Sequence, residues 1–174
     1  TLDCIDGALC WLTWTTTNGE VTITDCNQAA SGELVIPDTI GGNPVTSIGE
    51  GAFTSCTSLT SIAIPDSVTS IGAWAFSSCA SLESITIPDS VTSMEFGAFY
   101  QCRSLTSITI GDGVTSIGQD AFSECNSLTS VTIPDGVTAI GTDAFSLCTS
   151  LASVTIPGSV TTLGDGVFYC CSSL

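Results

Sequence analysis

Ten cysteines, 17 carboxylates and a single base, Arg103, hold most of the reactive chemistry of this 174-residue chain, which has no histidine. Lysine is absent as well, so the common catalytic bases, Schiff-base formation and Ser–His or Cys–His nucleophiles are all excluded. Carboxylates alone can hydrolyse glycosides, but only as a pair about 5–9 Å apart in a cleft. No spacing here singles out such a pair, and no catalytic residue is expected. Zinc is disfavoured because there is neither a histidine nor a C-x₂-C pair. Asp66, Asp89, Asp112 and Asp135 recur once per 23 residues. Ca²⁺ asks for about 6–8 oxygens and a single-file column supplies few, so these read as turn aspartates. Neither metal nor cofactor is expected.

The cysteines divide by spacing. Cys56, Cys79, Cys102, Cys125, Cys148 and Cys171 follow one another at 23 residues, while Cys4, Cys10, Cys26 and Cys170 fall off that register. Between a phenylalanine and a leucine, the periodic cysteines are expected to point inward as inert buried thiols. The off-register four are the disulfide candidates. Phe53, Phe76, Phe99, Phe122, Phe145 and Phe168 keep the same step, as do the leucines from Leu59 to Leu174 and the valines from Val45 to Val160. A period of this length is the mark of a solenoid, in which one coil cannot bury its own apolar edge and must stack on the next.

Within a unit, Leu59, Ile62 and Ile64 have the L-x-x-L-x-L spacing of a short strand with Thr60, Ser61 and Ala63 outward. Pro65 and its equivalents Pro88, Pro134 and Pro157 close it, since proline lacks the ladder N–H. Val68 and Ile71 form a second short strand, and Ala75-Phe76 with Cys79 fits a helical or 3₁₀ turn. The unit IPDSVTSIGAWAFSSCASLESIT resembles the BspA-type leucine-rich repeat of bacterial and protist surface proteins, over roughly Leu34 to the end. The resemblance implies a leucine-rich-repeat solenoid at a secreted or cell-surface location. The usual asparagine ladder is missing; Ser67, Ser90, Gly113, Gly136 and Ser159 stand at or beside its place, and the inward cysteine appears instead.

Residues 1–33 do not fit the repeat. They are read as an N-terminal capping β-hairpin turning at Asn18-Gly19, with residues 34–174 forming about six units, the last incomplete at Leu174. Thr39 to Pro44 form an inserted loop. Two explanations of the unfinished coil stand open: further repeats follow in a longer chain, or the coil receives the N-terminal hairpin of another copy, head to tail, building a filament. In the second case Cys4, Cys10, Trp11, Trp14, Cys170, Cys171 and Leu174 form the joint.

A net charge of −16 leaves nothing to neutralise phosphates, so neither nucleic acid nor an anionic membrane surface is an expected partner, and no apolar run is long enough for membrane insertion. Many cysteines without lysine suit a secreted or surface setting. The expected function is therefore a non-catalytic extracellular scaffold whose partners are other proteins or copies of itself. Its platform is the strand face, with Thr60, Ser84, Thr86, Ser107, Thr109, Ser130, Thr132 and Thr155, whose hydroxyls could also carry O-linked glycan. The alternative is a surface adhesin or ligand-binding module, for a host protein, glycan, ice or calcium. Met94-Glu95-Phe96, Tyr100 and Arg103 depart from the repeat, and are read as drift or as a contact patch beside Glu83.

Overall fold

The computed structural model describes residues 10–174. Each coil contributes two short strands, one to each of two rows that run the length of the molecule. The first row comprises β3 (Ser31–Val35), β6 (Ser58–Ala63), β8 (Ser84–Ile87), β10 (Ser107–Ile110), β12 (Ser130–Thr132) and β14 (Ser153–Thr155), and is called the strand face below. The second row comprises β5 (Asn43–Ile48), β7 (Ser70–Ile71), β9 (Ser93–Met94), β11 (Ser116–Ile117), β13 (Ala139–Ile140) and β15 (Thr162–Leu163). Pairing within both rows is parallel and steps by one coil, as in Ser84↔Ser107 and Ser93↔Ser116. Only stacked coils can bring residues 23 apart side by side in this way.

A hairpin, β1 (Leu12–Thr17) with β2 (Glu20–Cys26), covers the first coil and joins the second row through β2 and β5. Its turn residues Asn18 and Gly19 have φ of 54° and 80°, the double positive φ of a type I′ turn. The Thr39–Pro44 insertion is itself a tight hairpin, β4 (Thr39–Ile40) against the start of β5, turning on Gly41 and Gly42. After each second strand the chain makes the expected tight turn through i→i+3 bonds, such as Cys56 N–H to Phe53 O at 3.1 Å.

The core is a set of columns. Phe53, Phe76, Phe99, Phe122 and Phe145 are fully buried, and successive rings lie near-parallel at 5.0–5.3 Å. That spacing follows from the roughly 4.8 Å separation of paired strands. Beside them the periodic cysteines form a ladder of their own. Cys79 Sγ donates to Phe53 O at 3.2 Å, Cys102 to Phe76 O at 3.1 Å, Cys125 to Phe99 O at 3.2 Å and Cys148 to Phe122 O at 3.1 Å. Thiols thus meet inward carbonyls that would otherwise lack a side-chain donor. On the outside, Thr69, Thr92, Thr115, Thr138 and Thr161 each donate Oγ1 to the carbonyl of the threonine one coil before. Ser67 and Ser90 likewise reach Val45 O and Val68 O at 2.7 and 2.6 Å.

Glycine ends most of the second strands because the coils touch there. A Cβ added at Gly72 would stand 2.8 Å from Glu50 N, and one at Gly118 2.6 Å from the Glu95 carbonyl carbon. One coil does carry a side chain in this column. Glu95 N–H reaches Ile71 O at 3.3 Å, whereas Gly72 N–H to Ile48 O and Gly118 N–H to Met94 O are both 2.9 Å. A Cβ is therefore admitted by lifting the coil a few tenths of an ångström. Gly118→Ala is expected to cost about 1–3 kcal/mol, read as a lower urea midpoint at unchanged slope.

Candidate interaction surfaces

Along the strand face, alternate residues point outward because side chains in a strand alternate sides. Ser84, Thr86, Ser107, Thr109, Ser130, Thr132 and Thr155 are all exposed, while Ile85, Ile87, Ile110, Val131 and Ile133 between them are buried. Ser84 pairs with Ser107 and Thr86 with Thr109, and Thr132 pairs with Thr155, giving two hydroxyl rows. Thr60 does not share them. It is half-buried, and Ser61 is the residue in register with Ser84. Thr60 shares the column of Glu83 and Thr106, one position before the outward rows.

This face is grooved. A cleft of about 350 Å³ is lined by Glu33, Val35, Ser61, Ile64, Ser84 and Thr86, among others. Pairing lapses between β10 and β12, and a second cleft of about 270 Å³ lies there, lined by Ile108, Thr109, Ile110, Asp112, Thr132 and Pro134. Asp112 N–H donates to Asp89 Oδ1 at 2.9 Å, so a carboxylate of the aspartate column holds the next turn. Among the described residues, no group of three or more His, Cys, Asp or Glu is placed to hold a metal.

Two disulfide expectations are overturned: Cys26 and Cys170 are free thiols. Cys26 is in fact buried where later coils place a phenylalanine, since Cys56 Sγ donates to Cys26 O at 3.7 Å as Cys79 does to Phe53 O, across a first coil lengthened by the inserted hairpin. Cys10 is disulfide-bonded, and Cys4 lies outside the described residues. With Cys26, Cys56, Cys79, Cys102, Cys125, Cys148, Cys170 and Cys171 all free, cysteine number carries no weight for the redox compartment. Burial pushes the Cys148 thiol up to about 12 and those of Cys79 and Cys102 well above their ordinary range. Since the thiolate is the nucleophile, iodoacetamide at neutral pH is expected to modify exposed Cys170 first and to leave Cys79, Cys102 and Cys148 intact, as read by peptide mass spectrometry. Rapid modification of the buried set in folded protein would contradict their placement.

The residues expected at an end-to-end joint lie at opposite ends of the stack. Trp11 and Trp14 are half-buried against the first coil, whereas Cys170 and Leu174 are exposed on the last and Cys171 is half-buried there. Further coils or a second copy would cover the same edge.

The coil that departs from the repeat forms a cluster that was only half legible. Phe96 and Tyr100 meet Trp74 of the preceding coil edge-on, with centroids 4.5 and 5.4 Å away. Tyr100 OH donates to Glu124 Oε1 at 3.0 Å, Gln101 Nε2 to Glu124 Oε2 at 3.0 Å, and Arg103 forms its ion pair with Glu124 at 3.2 Å. Burial opposes ionisation of Glu124, but the bonds from Gln101, Tyr100 and Arg103 outweigh it and hold the carboxyl below its usual range. The hydrogen bond to Glu124, then burial, raise the Tyr100 phenol. Glu124 of the following coil, not Glu83, organises the patch.

The sequence model of the BspA-type leucine-rich repeat region matches residues 46–174 in six copies. The chain belongs to the BspA-type leucine-rich repeat family. Solved structures agree with the BspA-type fold. A leucine-rich repeat protein from Bacteroides ovatus is 38% identical with a TM-score of 0.87, over 100% of this chain and 46% of that one. A T. pallidum leucine-rich repeat protein is 29% identical with a TM-score of 0.79, over 94% and 88% respectively. A leucine-rich cell surface protein from Faecalibacterium prausnitzii is 34% identical with a TM-score of 0.68, over 97% and 52%. This BspA-type chain thus spans about half the length of two of these relatives. No curated protein matches the sequence. Among the described residues, no helix is long and apolar enough to cross a membrane.

Proposed function

We propose that this chain is a non-catalytic extracellular scaffold that binds a protein partner on its strand face. The observation that carries the reading is the pair of in-register hydroxyl rows, Ser84/Ser107 with Thr86/Thr109, interrupted by clefts lined with both hydroxyls and apolar side chains. Such a surface offers hydrogen bonds at fixed spacing on a rigid stack, which limits the entropy lost on binding. Leucine-rich-repeat proteins commonly act through protein contacts, and the naming of the F. prausnitzii relative as a cell surface protein supports the outer location. The proposed interface is Ser84, Thr86, Ser107, Thr109, Ser130, Thr132 and Thr155, with Ser61 in place of Thr60.

Site-specific photocrosslinking on intact cells of the source organism tests this. A benzophenone side chain at Thr109 is expected to trap a discrete surface protein, while the same group at exposed Thr92, just before β9 of the second row, traps none. Equal crosslinking from both positions, or none from Thr109, would contradict the strand-face assignment. Sedimentation of the purified chain separates single copies from head-to-tail assembly through Trp11, Trp14, Cys10, Cys170, Cys171 and Leu174. Growth of the particle with concentration would place self-association beside partner binding in the same scaffold.

A further inference from the structure

Trp74, Phe96 and Tyr100 come together at only one place in the repeat, and the same columns mostly hold small or polar residues. Phe96 corresponds to Ala73, Gln119 and Thr142; Tyr100 to Thr54, Ser77, Ser123 and Ser146, with a tyrosine returning at Tyr169; Trp74 to Gly51, Gly97, Asp120 and Asp143. Other coils make the same turn without the rings, since Thr54 N–H to Gly51 O, Ser123 N–H to Asp120 O and Ser146 N–H to Asp143 O are 2.9, 3.1 and 3.0 Å. The trio is thus not required by the fold.

It is nonetheless held in place. Gly97 has φ of 59° and no Cβ, and a Cβ there would run into the six-membered ring of Trp74. The indole lies against that backbone, and Phe96 and Tyr100 meet it at 82° and 85°. Phe96 is 36% exposed. Around the rings stand Glu95, exposed and next to Phe96, Asp120, whose charge acts on Tyr100, and Glu124, bonded to the Tyr100 hydroxyl. The chain's single base has already settled here, with Arg103 on Glu124. Aromatic faces and carboxylates both favour a cation, and a molecule of net charge −16 draws one in from a distance.

We infer that Trp74, Phe96 and Tyr100, ringed by Glu95, Asp120 and Glu124, form a second docking site that takes an arginine side chain of a basic protein segment. The site lies in the turns that follow β7 and β9, on neither row of strands, and does not depend on the strand-face reading. A guanidinium fits it better than an ammonium because its plane stacks on the rings while its N–H groups reach the carboxylates.

The test uses the intact chain and a tetra-arginine peptide, with a tetra-citrulline peptide of the same shape but no charge as the comparison, followed by calorimetric titration at low salt. The arginine peptide is expected to bind measurably tighter than the citrulline peptide. Replacing each ring by the residue a sister coil carries, as in F96Q, Y100S and W74G, is expected to weaken it ~5-fold or more per ring. Because those residues already occupy the same turn elsewhere, folding is retained, and circular dichroism confirms it for each variant. D66N and T109A, on other surfaces, are expected to leave binding within about twofold. Equal binding of the two peptides, or equal loss in D66N and F96Q, would overturn the site and leave only bulk charge attraction.

Discussion

Phe99→Ala is expected to lower stability by about 3–5 kcal/mol, a fall in melting temperature of roughly 6–20 °C for a chain of this length. Phe99 is fully buried and sandwiched between Phe76 at 5.0 Å and Phe122 at 5.3 Å, so truncation removes ring contacts on both sides. The hole cannot close easily, because the backbone on both sides is pinned by bonds from coil to coil, such as Phe76 N–H to Ala98 O and Phe99 N–H to Ala121 O, both 2.8 Å. Phe168 supplies the comparison. It is only partly buried and touches a ring on one side, Phe145 at 5.8 Å. Phe168→Ala is therefore expected to cost well under half as much, roughly 1–2 kcal/mol. Equal losses at the two positions, measured by urea unfolding, would mean that the column does not carry the core.

A larger loss is expected on the alkaline side. A thiol whose pKa is raised by folding contributes stability that is complete below its unfolded value and disappears as the pH climbs toward the folded one. The ordinary value is 9.0, and Cys148 is raised to about 12 by burial, with Cys79 and Cys102 higher still. Between about pH 8 and pH 11 each of these thiols therefore withdraws on the order of 3 kcal/mol. Three of them together are comparable with the margin of about 5–15 kcal/mol by which most domains are folded. The chain is expected to unfold reversibly near pH 10–11 in the presence of reductant, as followed by far-ultraviolet circular dichroism. Cys102→Val keeps a buried side chain of similar size but removes the donor to Phe76 O. It is expected to cost about 1–2 kcal/mol at neutral pH, yet to reduce the steepness of the alkaline loss. A chain stable through pH 11 would show that the cysteine column is not sealed from water.

The columns were legible because burial in a solenoid is periodic, and one residue type at a fixed step can occupy only one place in the stack. Phe53 to Phe168 and Cys56 to Cys171 needed nothing more than counting. Cys26 was missed for the same reason. It takes the place of a phenylalanine in the ladder and lies 27 residues before Phe53, a step that the inserted β4–β5 hairpin lengthens beyond 23. Thr60 was misplaced by one position, since it aligns with Glu83 and Thr106 while Ser61 aligns with Ser84 and Ser107. The pairing of β3 with β6 shifts register at the same point, between Gly32 and Glu33.

The aromatic site was visible only in part. Phe96, Tyr100 and Arg103 broke the repeat openly, but nothing in the sequence tied Trp74 or Glu124 to them. Those contacts arise when residues 21 to 26 apart fall on adjacent coils and glycine at 97 leaves room for an indole. A reading that aligned the turns by column would have found Trp74 beside Phe96. The cleft between Thr109 and Thr132 was not legible at all, because it depends on where pairing lapses between β10 and β12.

The most direct test of the scaffold is the retention of purified chain on intact cells of the source organism, comparing wild type with the triple variant T86R/T109R/T132R. These three side chains are exposed and make no hydrogen bond within the core, so the variant is expected to melt within a few degrees of wild type. It is also expected to lose ~10-fold or more in retention, since three bulky cations would occupy the partner's footprint. Undiminished retention by a folded triple variant would contradict the strand face as the binding surface.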